Sequence, residues 1–213
     1  MMGKLRIAIE KSDIHQMPQV IFPGDIHVID SMFNVKAAVN VLKNSPMVGF
    51  DTETRPSFRK GVTHKTALIQ ISTLNDCFLF RVNKIGMPSA LADYIEDPAY
   101  QKVGVSLHDD FKMLNKLSDL EPAGFIDLQE KVGKYCIDDI SLQKIYAILF
   151  GEKIAKGQQL TNWEAPELTV AQQNYAAVDA WACLRIYNYL KDGLFDPNLS
   201  PYIINEDNEQ DQD

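Results

Sequence analysis

Four carboxylates are candidates for chemistry because they fall in three short segments, FDTET, VGVSLHDD and YAAVD, that lie far apart in the sequence. They are Asp51 and Glu53 in the first segment, Asp110 in the second and Asp179 in the third. None of these segments contains a lysine or an arginine. Carboxylates that come together without cationic partners indicate a divalent metal rather than salt bridges, and such a metal predicts phosphoryl chemistry.

Asp51 and Glu53 lie at the end of Met47–Asp51, an apolar run typical of a buried strand. In an extended chain, residues i and i+2 point to the same face, so both carboxylates can reach one metal ion. Oxygen ligands of this kind suit Mg²⁺ or Mn²⁺. Taken alone, such a pair is more often two solvated acids where a strand runs into a loop.

Asp110 follows the apolar strand Val103–Ser106 and opens a helix whose apolar side chains, including Phe111 and Leu114, are predicted to face inward. Aspartate is also one of the best residues at a helix N-cap, which is the better interpretation of Asp110 taken alone. The neighbouring Asp109 competes for either role.

Tyr175 and Asp179 are four residues apart, which places them on one face of a helix. The surrounding alanines have small side chains that let this helix approach a sheet closely. A phenol beside a carboxylate suits a site that holds a metal and orients a water. Without the other motifs, the pair is more simply a packed tyrosine and an unrelated surface aspartate.

The rest of the chain alternates strand and helix patterns. Strands are predicted at 25–30, 47–51, 67–72, 77–82, 103–106 and 125–127, and helices at 35–43, 89–95, 110–117, 141–150 and beyond 169. A polar hairpin loop is predicted at 74–76, and in the N-terminal segment 5–9 is a candidate strand and 12–18 a candidate helical turn. Thr169 and Gln172 form a capping-box pattern, as Asp127 and Glu130 do earlier in the chain. Three antiparallel strands followed by strand–helix alternation predict a mixed α/β sheet covered by helices. Open α/β sheets place their sites at the carboxyl ends of strands.

The composition, with 46% hydrophobic and 23% charged residues, is that of a globular protein. No apolar run approaches the roughly 20 residues of a membrane helix. Three scattered cysteines form no C-x-x-C pair, which argues against a zinc knuckle or a disulfide scaffold and predicts a reducing, cytoplasmic setting. The net charge of −8 includes five acids in the last nine residues, so the rest of the chain carries −3. A net charge of this size is compatible with a local basic groove.

Together, the three acidic segments resemble the three motifs of the DEDD-type 3′–5′ exonucleases. The tyrosine four residues before the last aspartate resembles the DEDDy branch of that family. The stretch from Thr161 through Trp163 and Pro166 to Ala180 is especially similar to the ribonuclease D and Werner-type exonuclease group. The resemblance extends from about Asp25 to Leu190, and the order and spacing of all the motifs agree.

The resemblance implies an RNase H-like fold, with a mixed five-stranded sheet flanked by helices, and two-metal hydrolysis of nucleic acid from a 3′ end. Asp51, Glu53, Asp110 and Asp179 would then hold two Mg²⁺ or Mn²⁺ ions, and Tyr175 would orient the attacking water. Asp110 is matched rather than Asp109 because it lies six residues after a strand glycine and four before a helix leucine.

Substrate contacts are predicted around these motifs, at Thr54, Arg55, Phe58, Lys60, Leu107, His108 and Trp163. Further cations in the same loops, Arg59, Lys65, Lys153 and Lys156, are candidates for phosphate contacts. Each cation is as readily an ordinary solvated side chain. Phe58 is either a stacking platform or a packed loop anchor, and Trp163 is expected to fix the loop before the last helix.

Three regions are predicted: an N-terminal extension over 1–24, an exonuclease domain over 25–192, and an acidic, disordered tail over 193–213. We expect nucleic acid as substrate, no membrane association, and a helicase or another protein partner acting in trans. The alternative is a catalytically weak nucleic-acid-binding module of the same fold, which predicts the loss of a carboxylate or of the tyrosine. The sequence does not decide between DNA and RNA, nor does it indicate the oligomeric state.

Overall fold

The computed structural model describes residues 5–59, 61 and 63–204. Within that part of the chain, one six-stranded sheet has the order β1-β4-β3-β2-β5-β6. Its strands are β1 (Asp25–Ile29), β2 (Met47–Thr54), β3 (Thr66–Ser72), β4 (Asp76–Phe80), β5 (Gln101–Gly104) and β6 (Phe125–Asp127). The resemblance implied five strands, but all six ranges predicted from the sequence form strands, because the three-residue β6 also joins the sheet by pairing in parallel with β5 at its edge.

The sheet is mixed, as the sequence predicted. The middle strand β3 pairs antiparallel with β2 and β4, while β1 with β4, β2 with β5, and β5 with β6 are parallel pairs. Every residue of β3 is buried, because helices cover both faces of the sheet. The predicted hairpin between β3 and β4 forms at residues 73–75, where the Thr73 hydroxyl accepts hydrogen bonds from the amides of Asn75 and Asp76.

Helices pack on both faces of the sheet. Their bounds are α1 (Lys11–Gln16), α2 (Met32–Leu42), α3 (Val82–Ile85), α4 (Ser89–Glu96), α5 (Leu107–Leu117), α6 (Gln129–Val132), α7 (Leu142–Phe150) and α8 (Val170–Lys191). The core beneath α8 includes Leu68 and Leu79, and the core beneath α2 and α4 includes Ile69 and Phe80. The alternation along β3 and β4 therefore divides the interior into two layers.

The long helix α8 begins and lies where the sequence placed it. Thr169 and Gln172 form the predicted capping box, in which each side chain bonds to the other residue's backbone amide. A Cβ added at Gly49 of β2 would lie 1.8 Å from the Ala180 carbonyl oxygen. Only glycine therefore lets α8 approach β2 this closely, which brings the acidic residues of the two elements together.

The N-terminal segment packs on the core rather than standing apart. The predicted strand at residues 5–9 is reduced to single bridges from Ile7 to Ile137 and Ile203. The predicted helical turn at 12–18 is the helix α1. Residues 193–204, assigned to the tail, include a 3₁₀ turn at Pro197–Leu199 and the buried Ser200. Residues 205–213 lie outside the described part of the chain. No helix in the described part is long and apolar enough to cross a bilayer.

Candidate active site

The strand β2 positions Asp51 and Glu53. Both side chains point to the α8 face of the sheet, because alternate residues of a strand share a face and Gly49 lies against Ala180 of α8. The intervening Phe50 points to the opposite face. In the register with β3, Asp51 lies opposite Gln70, and Glu53 lies opposite Leu68. Glu53 is only 9% exposed. The pairing becomes irregular between Glu53 and Thr54, where the strand leaves the sheet.

The helix α8 brings Asp179 and Tyr175 over this strand. Carboxylate oxygens of Asp51, Glu53 and Asp179 all lie within 4.8 Å of one another. The Tyr175 ring is nearly buried, with its centroid 6.0 Å from that of the fully buried Trp163. The predicted i, i+4 pair on α8 therefore faces the predicted i, i+2 pair on β2.

Asp110 reaches the edge of this cluster from α5. It accepts a hydrogen bond from the Thr52 hydroxyl, whose residue lies between the two β2 carboxylates. Asp109 instead points outward, is 85% exposed and pairs with Lys112 at 3.0 Å. Of the two neighbouring aspartates, only Asp110 faces the other carboxylates, although it lies outside the tight group of three.

The start of α5 differs from the prediction, which began this helix at Asp110. The helix begins at Leu107, after Ser106 in a left-handed conformation with φ 59°. Asp127 at the end of β6 accepts a hydrogen bond from the Leu107 amide at 2.9 Å and another from the Gln129 amide at 2.9 Å. One aspartate thus accepts hydrogen bonds from the first backbone amides of two helices, α5 and α6. As a result Asp110 lies within the first turn of α5 and is not its N-cap.

Burial raises the pKa of every carboxylate in the cluster, and repulsion from the other carboxylates of the cluster raises the pKa of Asp51 and Glu53 further. Burial, then the charges of Asp179 and Asp110, raises the pKa of Glu53 to about 9. Burial raises the pKa of Asp179 to about 7, although a hydrogen bond from Tyr175 opposes the shift. Burial also raises the pKa of Asp110 to about 6 and that of Asp51 well above its usual range. No lysine or arginine among the described residues forms an ion pair with these four side chains.

This arrangement fits bound divalent metal. Several oxygen ligands from carboxylates, gathered without a cation, are the set that Mg²⁺ or Mn²⁺ prefers. A cation would also relieve the repulsion that raises these pKa values. Beside the cluster lies a cavity of about 300 Å³. Its lining includes Asp51, Glu53, Tyr175 and Asp179 together with Ser141, Gln143, Lys156 and Gln159.

The residues predicted to contact substrate lie at varied depths. Arg55 forms an ion pair with Glu164 at 3.1 Å, and Phe58 is 85% exposed. His108 is exposed and Thr54 is half-buried. Lys60 lies outside the described residues.

The two other predicted contact residues are in the interior. Leu107 packs in the core between β2 and α5 and is 3% exposed. Trp163 is fully buried behind Tyr175, which agrees with the expectation that it fixes the loop before α8. The cavity residues Gln143 and Gln159 and the bridging Thr52 were not singled out from the sequence. Of these, only Thr52 had a local signal, since it lies between two candidate ligands.

Comparison with known proteins agrees with this geometry. A family model described as 3′-5′ exonuclease matches residues 26–194. The mouse (Mus musculus) bifunctional 3′-5′ exonuclease/ATP-dependent helicase WRN is 28% identical over 196 residues, which are 87% of this chain and 14% of that protein. An Arabidopsis thaliana 3′-5′ exonuclease is 34% identical over 151 residues, 68% of this chain and 52% of that protein. The chain therefore spans about half or less of these relatives.

A solved structure gives the same result. The Aedes aegypti Nibbler EXO domain superposes with a TM-score of 0.69 at 25% identity, over 81% of this chain and 92% of that domain. The predicted resemblance is confirmed, and so is the α/β fold class apart from the number of strands. With the family model covering most of its length and the carboxylates of the first and third motifs grouped together, with that of the second beside them, the chain belongs to the 3′-5′ exonuclease family.

Proposed function

We propose that the chain is a metal-dependent 3′–5′ exonuclease that removes nucleotides from the 3′ end of nucleic acid by a two-metal mechanism. The observation that carries this proposal is the group of buried and half-buried carboxylates on β2 and α8, whose oxygens lie within 4.8 Å of one another with no ion pair to a lysine or arginine among the described residues. A structural cluster of this kind would normally contain a lysine or an arginine.

Asp51, Glu53, Asp179 and Asp110 would hold the ions. When bound, two ions would lower the pKa of an attacking water and offset the negative charge that develops during the displacement. The carboxylates would hold those ions in fixed positions, because β2 and α8 are held together by close packing at Gly49. Thr52 contributes by holding Asp110 toward the cluster through its hydroxyl.

Tyr175 would orient the attacking water by a hydrogen bond. Burial, then the charges of Asp179 and Glu53, raises the pKa of its hydroxyl far above that of free tyrosine. The phenol therefore keeps its proton at neutral pH and cannot serve as a general base. A rigid position suits an orienting role, and the buried Trp163 behind the ring provides it.

The substrate would enter the cavity beside the carboxylates, where Lys156 can meet a phosphate. We assign Thr54, Arg55, Phe58 and His108 to contacts with the terminal nucleotides, because they lie near the strand end or at the start of α5. The name of the mouse relative joins the exonuclease to an ATP-dependent helicase. We propose that a separate protein opens duplex substrates for this chain.

The test is hydrolysis of single strands of DNA and of RNA labelled at the 5′ end, with Mg²⁺, with Mn²⁺ and with EDTA. We expect a ladder of progressively shorter labelled products in either metal, no products in EDTA, and none with Asp51→Asn. The relative rates on DNA and RNA would assign the substrate class. Wild-type protein that binds Mn²⁺ and nucleic acid but cleaves neither strand would favour the alternative, a binding module.

A further inference from the structure

A second cavity, of about 480 Å³, adjoins the carboxylate site on the side of the N-terminal segment. The residues that line it include four lysines and no aspartate or glutamate among those that the structure describes: Lys11, Lys144, Lys153 and Lys156. We propose that this groove binds the single-stranded nucleic acid that continues on the 5′ side of the terminal nucleotide. The inference rests on the proposed function, and it assigns the N-terminal segment a part in substrate binding.

The helix α1 presents a mixed basic and apolar face to the groove. Lys11, Ile14 and His15 line it, and their spacing of three and four residues places them on one face of the helix. Asp13 lies on another face, where its charge helps to raise the pKa of Tyr202. The single acid of α1 is thus turned away from the cavity.

Contacts with the segment after Gly151 hold α1 in this position. The Lys153 Nζ donates to the His15 carbonyl oxygen at 2.7 Å, and backbone hydrogen bonds join Lys153 to Pro18 and Val20 at 2.9 and 3.0 Å. The groove is therefore a fixed part of the fold, with one wall from the N-terminal segment and the other from residues 153–157.

The charge of the groove remains largely free to meet phosphates. Lys144 is neutralised by Asp139 at 2.7 Å. By contrast, neither Lys11 nor Lys156 has an ion-pair partner among the described residues. The floor is apolar, with Ile14 and Ile154, so bases can lie on it while phosphates meet the lysines. A positively charged groove that follows the backbone is what proteins use to hold single strands.

The groove is continuous with the carboxylate site. Ser141, Gln143 and Lys156 line both this cavity and the cavity beside Asp51, Glu53 and Asp179. A strand with its 3′ end at the carboxylates can therefore run directly into the groove. This path predicts that strands long enough to reach Lys11 bind more tightly than very short ones.

The experiment compares fluorescence anisotropy of labelled single strands of about 12 and about 3 nucleotides, with Ca²⁺ in place of Mg²⁺. For the long strand, Lys11→Glu should weaken binding by about threefold to tenfold, and Lys11→Ala should lower the slope of log K against log salt by roughly 0.7. The short strand should change less than about twofold. The matched control is Lys36→Glu, an exposed lysine on α2 at the opposite face of the sheet. Thermal melts of the Lys11 variants check that the fold is intact.

Equal binding of the long strand by the Lys11→Glu and Lys36→Glu proteins would overturn the inference, and so would an equal loss for long and short strands. Because binding is measured without turnover, the result is independent of catalysis. A length-dependent loss in a protein that hydrolyses nothing with Mg²⁺ or Mn²⁺ would contradict the proposed function and still support the groove.

Discussion

Replacing Glu53 by glutamine should stabilise the metal-free protein at alkaline pH, although the substitution removes a candidate metal ligand. Glu53 is buried beside two other carboxylates, and no cation among the described residues pairs with it. Without metal, the fold must either keep a proton on Glu53 or accept the repulsion. Glutamine has nearly the same shape and carries no charge, so the Glu53→Gln variant avoids both costs.

The magnitude follows from the pKa of Glu53, which is 4.5 for an ordinary glutamate and about 9 in the fold. Between these values the unfolded chain has lost the proton and the folded chain retains it, so the free energy of unfolding falls as pH rises. Each pH unit is worth about 1.4 kcal/mol, which gives at most about 4 kcal/mol between pH 5 and pH 8. We expect a gain of about 2–4 kcal/mol for the variant at pH 8, because Asp179 and Asp110 share the same repulsion.

The assay is thermal unfolding of wild type and Glu53→Gln in EDTA at pH 5 and pH 8. A gain of about 2–4 kcal/mol raises Tm by roughly 4–15 °C for a chain of this size, and the gain should nearly vanish at pH 5. Mn²⁺ should stabilise the wild type at pH 8 and reverse the order of the two proteins. The control is Asp109→Asn, an exposed carboxylate that should cause only a small change at either pH. Equal melting temperatures for wild type and Glu53→Gln at pH 8 in EDTA would refute this reasoning.

Three further predictions concern the elements that build the site. Tyr175→Phe should lower kcat by about 100-fold and leave the Mn²⁺ affinity unchanged, because the hydroxyl orients water. Single-turnover rates measure the first effect, and Mn²⁺ titration measures the second. Asp110→Asn should abolish most hydrolysis while Asp109→Asn leaves it intact, since only Asp110 faces the cluster; equal losses would contradict the assignment. Gly49→Ala should cost roughly 1–3 kcal/mol in urea unfolding and also reduce activity, because a Cβ there would meet the Ala180 carbonyl oxygen and push α8 from the sheet.

The parts of the fold that the sequence predicted are those with strong local signals. The antiparallel strands on either side of the hairpin at residues 73–75 were recognisable from two apolar runs and the polar turn between them. The capping box at Thr169 and Gln172 located the start of α8 to the residue. In each case the hydrogen bonds that fix the structure join residues close in sequence, so a single chain segment contains the information.

The parts that the sequence did not predict depend on distant contacts. The helix α5 begins three residues before Asp110 because Asp127, seventeen residues after Asp110, caps it from β6. The short strand β6 was predicted at its observed bounds, whereas its parallel pairing with β5, which adds a sixth strand to the sheet, joins distant segments of the chain. The sequence predicted an N-terminal extension over 1–24 but not how it packs: Ile7 and Ile9 are buried in the core through contacts with residues more than a hundred positions away.

The candidate site was predicted more completely than the surface around it. The structure places Asp51, Glu53, Asp179 and Tyr175 together, because regular strand and helix spacing aims each pair at one face. Asp110 lies beside this group through its hydrogen bond with Thr52. Substrate contacts were harder to predict, because the burial of a loop residue follows no regular spacing in the sequence, unlike that of a residue in a strand or a helix. Trp163 and Leu107 are buried, and the cavity lining includes Gln143 and Gln159 instead.

We propose that the carboxylates on β2 and α8 hold the metal required to hydrolyse the 3′-terminal phosphodiester. The measurement that tests this is the release of mononucleotide from a 3′-labelled strand while Mn²⁺ is titrated into metal-free wild type and Glu53→Gln. We expect release by the wild type to rise with Mn²⁺ occupancy and to fall by orders of magnitude in the variant at every concentration. Release that persists without metal, or that is the same in both proteins, would contradict the claim.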